Sequence, residues 1–438
     1  TYLLIHMASP SSSLAFLSDL RAKYGDVAEY ETAFGQVHFF NRPEHIAAVF
    51  DHDALQRTEL VTLVLGKGLL SSDGAYWRKQ RKLMQPEFTR LRSEEFAGLV
   101  THSTQELLRT WGPLMGTGES VDIAPAMTEL TLEVIVAALF SVELKREGPG
   151  LVETITVLIE GLGARAGMTF NQPLKVTPEE NRAFKGALAD VDAFCLGVIA
   201  KRRRAMAAGD EVPRDLLGIL MTGSDEPLTD KELRDEVLTM LISGHETTAL
   251  ILSWAWALLA ENPDVERDLH KEVDTLLEGR APTLKDMPQL ELTQRILEES
   301  MRLYPPVWFI ARKAIADVHI GEHLVPKGDT ALICTYLAHR HEEFWPDPDR
   351  FDPNRFVPEA VRVRPRGAYF PFAAGRHTCL GQKLAMVEGA LILAQLAQSV
   401  RVRPLGDPFA EIDPAITLRP KRGMQATLEP RTGIRPSV

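Results

Sequence analysis

Apolar residues in this chain recur mostly at three- and four-residue spacing, the mark of helices that bury one face. The pattern holds from Glu44 to about residue 300 and predicts helices over 93–111, 121–142, 178–207 and 214–221. Ahead of them, alternating aromatic and β-branched residues over 27–32 and 36–41 flank Phe34-Gly35 and predict a two-stranded hairpin. The longest helix opens at Thr229, where Glu232 completes a capping-box pattern, and runs to Asn262 before Pro263. At 1.5 Å per residue it spans on the order of 45–50 Å, enough to cross the whole molecule. Its middle reads Ser243-Gly244-His245-Glu246-Thr247-Thr248, a polar group inside an otherwise apolar stretch. Such an interruption needs a reason.

Pro263 starts a charged helix to residue 277. Another helix, over 292–303, stops at Tyr304-Pro305-Pro306, because a proline pushes its predecessor out of helical geometry. Strands are predicted over 314–320 and 330–336, followed by an irregular stretch rich in Pro and Asp over 341–371. Irregular segments of that length are usually functional. A last helix covers 380–400. No repeat, linker or composition break divides the chain. The expectation is one domain over 1–438, mainly α with small β-sheets.

Composition narrows the function classes. With 45% hydrophobic and 25% charged residues, the 438-residue chain is an ordinary globular mix rather than a disordered one. Its net charge of −11, from 49 basic and 60 acidic residues, argues against a broad nucleic-acid surface. The three cysteines, Cys195, Cys334 and Cys379, form no C-x-x-C pair and fit a reducing, cytoplasmic setting. No membrane anchor is read: the longest uncharged apolar run near the middle, 247–260, is too short for a bilayer helix, and Thr1-Tyr2-Leu3-Leu4-Ile5-His6 has no signal-peptide pattern.

The chemistry centres on Cys379, in Phe372-Ala373-Ala374-Gly375-Arg376-His377-Thr378-Cys379-Leu380-Gly381. At the mouth of the last helix it meets a positive helix end and free N–H groups, which favour thiolate. Gly375 and Gly381 permit tight turns around the sulfur, and Phe372 shields one side. A lone cysteine is more often a small core residue, the reading kept for Cys195 and Cys334. Further pieces shift the balance. Glu299-x-x-Arg302 forms an i,i+3 pair that Arg355 can complete as a cluster. Trp77-x-x-x-Arg81 puts an indole N–H and a guanidinium on one helical face, suited to a carboxylate. Gly244-x-Glu246-Thr247-Thr248 sets an acid and an alcohol mid-helix.

In this order and spacing, the motifs resemble the cytochrome P450 haem-thiolate monooxygenases, from the Asp26 hairpin to the Cys379 helix. The resemblance implies the cytochrome P450 fold, with haem b (iron protoporphyrin IX) between the long central helix and the Cys-bearing helix. It implies Cys379 as the iron ligand, with Trp77, Arg81, Arg312 and His377 on the haem propionates. It also implies Glu299, Arg302 and Arg355 as a structural ion cluster, and Thr247 with Glu246 as the proton-delivery pair for O2. Two departures stand out: His377 where many members have Arg, with Arg376 one place early, and Ser243 where Ala or Gly is common. Ser243 is expected to bond back to its own helix, with ordering of a water near the iron as the alternative.

The expected pocket is apolar, drawn from 60–70, Val307-Trp308-Phe309-Ile310 and 414–418 including Ile416, with Ser243 on the central helix and a mobile lid over 162–170. Hydroxylation of an apolar small molecule is expected. Electrons would come from NAD(P)H through an acidic ferredoxin or flavodoxin docked on a face carrying Arg78, Lys79, Lys82, Arg376 and Lys383, with Arg362, Arg364 and Arg366 nearby. A peroxide-driven enzyme is the alternative, disfavoured by the intact Glu246-Thr247 pair. A non-catalytic haem or lipid carrier has no use for that pair.

Overall fold

The computed structural model describes residues 12–32, 34–58, 62–90, 93–166, 170, 176–224 and 226–431. Helices dominate. In chain order they are α1 (Ser13–Tyr24), α2 (Pro43–Asp51), α3 (Thr62–Leu65), α4 (Gly74–Arg90), α5 (Glu94–Trp111), α6 (Ile123–Phe140), α7 (Leu144–Glu147) and α8 (Leu151–Ala166). After these come α9 (Pro178–Ala208), α10 (Leu216–Thr222), α11 (Asp230–Glu261), α12 (Pro263–Leu277), α13 (Glu291–Leu303), α14 (Thr335–Ala338), α15 (Pro358–Val363) and α16 (Gln382–Ser399). The main sheet has the order β1-β2-β8-β5-β3, from β1 (Val27–Thr32), β2 (Gly35–Phe40), β3 (Leu55–Arg57), β5 (Phe309–Ala314) and β8 (Thr330–Cys334). Only β2 and β8 run parallel within it. Three small sheets use β4 (Ser120–Asp122), β9 (Val400–Pro404) and β12 (Gln425–Pro430); β6 (Val318–Ile320) and β7 (His323–Val325); and β10 (Ile412–Pro414) and β11 (Leu418–Pro420).

The central helix forms as its caps direct. Thr229 accepts from the Glu232 N–H and Glu232 reaches back to the Thr229 N–H, a complete capping box, and the helix is continuous to Glu261. Its apolar side chains leave almost no face open to solvent, and it packs against α6, α9, α13 and α16. Gly244 makes the α6 contact possible: a Cβ there would lie 3.0 Å from Ile135. Among the described residues one helix, α6, is long and apolar enough to cross a membrane by length and composition, a candidate the run-length reading passed over. Here it is a core helix against α11.

Tertiary pairing moved several boundaries. The helix expected from residue 121 begins at Ile123, because Ser120–Asp122 pairs with β12 and Asp122 then caps Ala124. The strand expected over 314–320 is two pieces. Phe309–Ala314 joins the main sheet, while Val318–Ile320 pairs with His323–Val325. The strand from Thr330 ends at Cys334 and turns helical at Thr335. The irregular stretch holds a 3₁₀ turn at Pro353–Phe356 and the short α15. β3, with three residues, is too short to read from periodicity, and β9 and β12 are further strands that the sequence reading does not include.

Candidate functional site

The Cys379 loop is built by backbone hydrogen bonds. The Cys379 N–H donates to the Phe372 carbonyl at 2.9 Å, and the Thr378 hydroxyl donates to the Gly375 carbonyl at 2.7 Å. Gly375 sits at φ +67°, and a Cβ would fall 2.6 Å from the Phe50 carbonyl oxygen. Only glycine fits. Gly381 differs from expectation: at φ −82° it is in ordinary helical space, and the nearest atoms to a Cβ, Cys379 Sγ among them, are 3.9 Å away. Ala373, at φ +56°, carries the left-handed strain of the loop.

Cys379 counts among the exposed side chains because its sulfur opens on an internal cavity of about 400 Å³. The protein encloses it closely all the same. Burial pushes its pKa up, opposed by the N–H groups of Gly381 and Gln382 and by the Arg81 guanidinium. The thiolate-favouring field expected at this helix mouth is therefore present but outweighed. A cation facing the sulfur reverses that balance.

The same cavity is lined by Arg57, Arg81, Arg312 and His377. Arg57 and Arg312 are each pulled down to about 10, first by burial and then by like charge nearby, with Asp73 as an opposing carboxylate. His377 has its pKa lowered by burial, opposed by Asp73, whose Oδ1 lies 2.9 Å from Nε2. Its ring packs 4.3 Å from that of Trp77, whose buried Nε1 has no partner among the described residues. Arg81 also donates to the Thr378 carbonyl at 2.8 Å, tying α4 to the cysteine loop. Sequence reading missed Arg57, since a single arginine on a three-residue strand gives no signal.

These donors fit a haem. Crowded guanidiniums and an unpartnered indole N–H suit two carboxylates, and one sulfur on the same cavity suits a metal. Among the described residues no group of three or more His, Cys, Asp and Glu side chains forms a metal cluster.

Opposite stand Ser243, Gly244, Glu246 and Thr247 of α11. Thr247 donates to the Ser243 carbonyl at 3.2 Å and Ser243 to the Thr239 carbonyl at 2.6 Å. Burial raises Glu246 to about 7, countered by Arg419 and Thr417 on the β10–β11 hairpin, with Asp413 and Glu160 beyond. Arg419 bonds Asp413 at 3.0 Å and lies 3.4 Å from Glu160.

The apolar wall includes Leu65, Leu69, Leu70, Leu162, Val307, Phe309, Ile310 and Ile416, with Phe372 near the sulfur. Trp308 does not belong to it. Its ring is fully buried beside Phe170, 5.3 Å between centroids, and its Nε1 donates to the Ala415 carbonyl at 2.9 Å. It sits just before β5, where Phe170, Phe309 and the Ala415 carbonyl enclose it. Of the expected 60–70 segment, residues 60 and 61 lie outside the described residues, as do 167–169 of the expected lid.

Away from the cavity, Arg302 grips Glu299 by two hydrogen bonds of 2.6 and 2.8 Å, with neither side chain exposed. Its remaining N–H groups reach the carbonyls of His339, Pro348 and Arg350, while Arg355 Nε lies 3.4 Å from Glu299. The cluster staples α13 to the segment leading into the cysteine loop. Arg364 leaves the expected basic face, stacking 4.5 Å from both Trp345 and Phe356. Arg376 is tied to Asp53 and Arg366 to Asp51.

Comparison with known proteins agrees with this geometry. The family model for cytochrome P450 matches residues 3–426. The chain is 33% identical to cyclooctatin synthase of Streptomyces melanosporofaciens, over 95% of this chain and 90% of that one. It is also 33% identical to cyclooctat-9-en-7-ol 5-monooxygenase of the same organism (90% and 85% covered), and 29% to pentalenene oxygenase of Streptomyces avermitilis (93% and 91%). Among solved structures, the haem domain of cytochrome P450DA superposes with a TM-score of 0.84 at 27% identity, covering 97% of this chain and 94% of that one.

Proposed function

The chain belongs to the cytochrome P450 family and is a monooxygenase, and from that premise we propose that it hydroxylates an apolar small molecule with haem b held by Cys379. The observation carrying this reading is that Cys379, the arginine group and the Glu246–Thr247 pair line one apolar cavity. A thiolate-ligated haem supplies electron push for O–O cleavage.

The rest is the work of the chain's own residues. Arg57, Arg81, Arg312, His377 and Trp77 hold the cofactor's two carboxylates. Glu246, with a pKa near 7, both keeps and releases a proton at neutral pH. Thr247 presents its hydroxyl oxygen beside it. Leu69, Leu162, Phe309 and Ile416 exclude water and favour a hydrocarbon skeleton, in keeping with relatives named for pentalenene and cyclooctat-9-en-7-ol. An acidic ferredoxin or flavodoxin supplies electrons from NAD(P)H at the exposed Arg78, Lys82 and Lys383. Charge reversal at Lys82 and Lys383 is expected to slow reduction of the haem without altering substrate affinity; unchanged kinetics remove that face. A single domain in the cytoplasm accords with three free cysteines.

The deciding experiment is the spectrum of the reduced protein under carbon monoxide. A red-shifted Soret band that disappears in Cys379→Ala supports the assignment. A band that survives the substitution overturns it.

A further inference from the structure

Three hydroxyls occupy successive turns on one face of α11: Thr239, Ser243 and Thr247. Each donates to the carbonyl four residues back, at 2.7 Å to Asp235, 2.6 Å to Thr239 and 3.2 Å to Ser243. A hydroxyl has one hydrogen and two lone pairs. With the hydrogen committed to the helix, each oxygen is left as an acceptor.

The three are not equivalent. Thr239 is buried, and its oxygen is covered by the loop at Gly68, where a Cβ would lie 1.9 Å from it. Thr247 lies beside the titrating Glu246. Ser243 is half-buried and lines the cavity, and among the described residues no N–H or O–H donates to its oxygen. Its short bond to Thr239 fixes the oxygen in place, and the neighbouring Gly244 has no side chain to cover it. Leu69, Ile135, Leu162 and Phe309 line the same cavity and have no side-chain donor, the hydroxyls of Thr239 and Thr247 donate to their own helix, and Thr417 pairs with Glu246. The basic groups come from β3, α4, β5 and the cysteine loop and belong to the cofactor's carboxylates. A fixed acceptor in an apolar pocket is satisfied by a donor brought by the ligand, and an unsatisfied one is costly.

We propose that Ser243 Oγ accepts a hydrogen bond from a hydroxyl on the substrate, so that the natural substrate is an alcohol: an apolar skeleton that already carries oxygen. This rests on the oxygenase reading above and names its substrate class. A hydrocarbon of the same shape leaves the acceptor unpaired. A ketone is worse, since it sets a second acceptor against the first. The reaction that supplies the substrate is accordingly one that installs a hydroxyl on an apolar skeleton before this enzyme acts.

The test measures dissociation constants of the haem-loaded protein by calorimetry for matched sets: decalin, 2-decalol and 2-decalone, and adamantane, 1-adamantanol and 2-adamantanone. At least one alcohol is expected to bind more tightly than its hydrocarbon and its ketone, and Ser243→Ala to weaken that alcohol about three- to tenfold, the range of one neutral hydrogen bond. The hydrocarbon is expected to stay within about twofold on that same scale. Alanine is the better helix former, so the variant folds, and Ser243→Thr keeps the acceptor and restores the preference. Three results overturn the proposal: no alcohol favoured over its partners, equal losses for alcohol and hydrocarbon in Ser243→Ala, or no loss for either. The last is the result expected if Ser243 holds only a water. The carbon monoxide spectrum of Ser243→Ala separates the two claims. An intact band with flat selectivity sinks this inference alone, whereas a missing band in the parent protein sinks the oxygenase reading.

Discussion

Arg57 and Arg312 stand directly opposite each other in the antiparallel β3–β5 ladder. Like charges at such a cross-strand position oppose folding; Arg57 is depressed to about 10 by burial and by Arg312, and Arg312 to about 10 by burial, with Arg376 adding to it against Asp73. The chain keeps a destabilising pair where the cavity needs positive charge. Arg57 is held for the purpose, its guanidinium donating to the carbonyls of Leu69 and Ser72 at 2.5 and 2.9 Å.

Removing one member therefore has opposite effects with and without cofactor. Arg312→Gln is expected to raise the melting temperature of the haem-free protein. The same change is expected to speed haem transfer to apomyoglobin about tenfold, the loss of one charge-assisted hydrogen bond. Slower or unchanged transfer removes Arg312 from the carboxylate-binding group.

The two glycines that frame the cysteine respond differently. Gly375→Ala combines a left-handed φ with a collision against the Phe50 backbone, and a loss of about 2 kcal/mol or more is expected in urea unfolding. Gly381→Ala, in ordinary helical space, is expected to cost less than about 1 kcal/mol. Equal losses contradict the geometry of the loop.

Thr247→Ala tests the proton-handling role. The bond it removes is a long one at 3.2 Å, so fold and haem content should persist. Coupled turnover is expected to fall about tenfold to a hundredfold, at or below the low end of what positioned proton transfer contributes, while NAD(P)H consumption continues and hydrogen peroxide rises. Unchanged coupling on a tightly bound substrate leaves Thr247 as a helix residue only.

Stability should decline as pH rises through neutrality. Glu236 on α11 is fully buried, accepts the Leu69 N–H at 2.9 Å through one oxygen and leaves the other without a partner among the described residues. Burial raises it to about 8. From the ordinary value of about 4.5 up to 8, the folded chain keeps a proton that the unfolded chain has lost. Unfolding free energy then falls with pH across that window by up to about 1.4 kcal/mol per unit. Glu388, raised by burial alone, and Glu298, raised to about 7, act in the same direction. Urea midpoints from pH 7 to 8, above the range in which the lowered His245, His270 and His339 oppose the trend, should slope downward, and Glu236→Gln should flatten them; a parallel slope in the variant rejects this residue as a source.

Much of the architecture was legible because it is local. The capping box at Thr229, the stop at Pro305, the i,i+3 spacing of Glu299 and Arg302 and the Gly375 turn each follow from a few neighbouring residues, so the central helix and the cysteine loop could be placed from their own segments. Phe309, Ile310 and Ile416 were found as apolar segments beside prolines and turns, but Trp308 was not excluded, because only tertiary packing brings Phe170 and the Ala415 carbonyl around its ring. Arg57 was invisible for the same kind of reason. Its meaning comes from Arg312, more than 250 residues away in sequence, and like charge becomes informative only when the ladder brings the two together. The field at Cys379 shows the limit most clearly. The sequence alone determined the thiol, its glycines and the helix mouth, while the tertiary structure alone decided how deeply the sulfur is enclosed, because desolvation depends on every element packed around it rather than on those beside it in the chain.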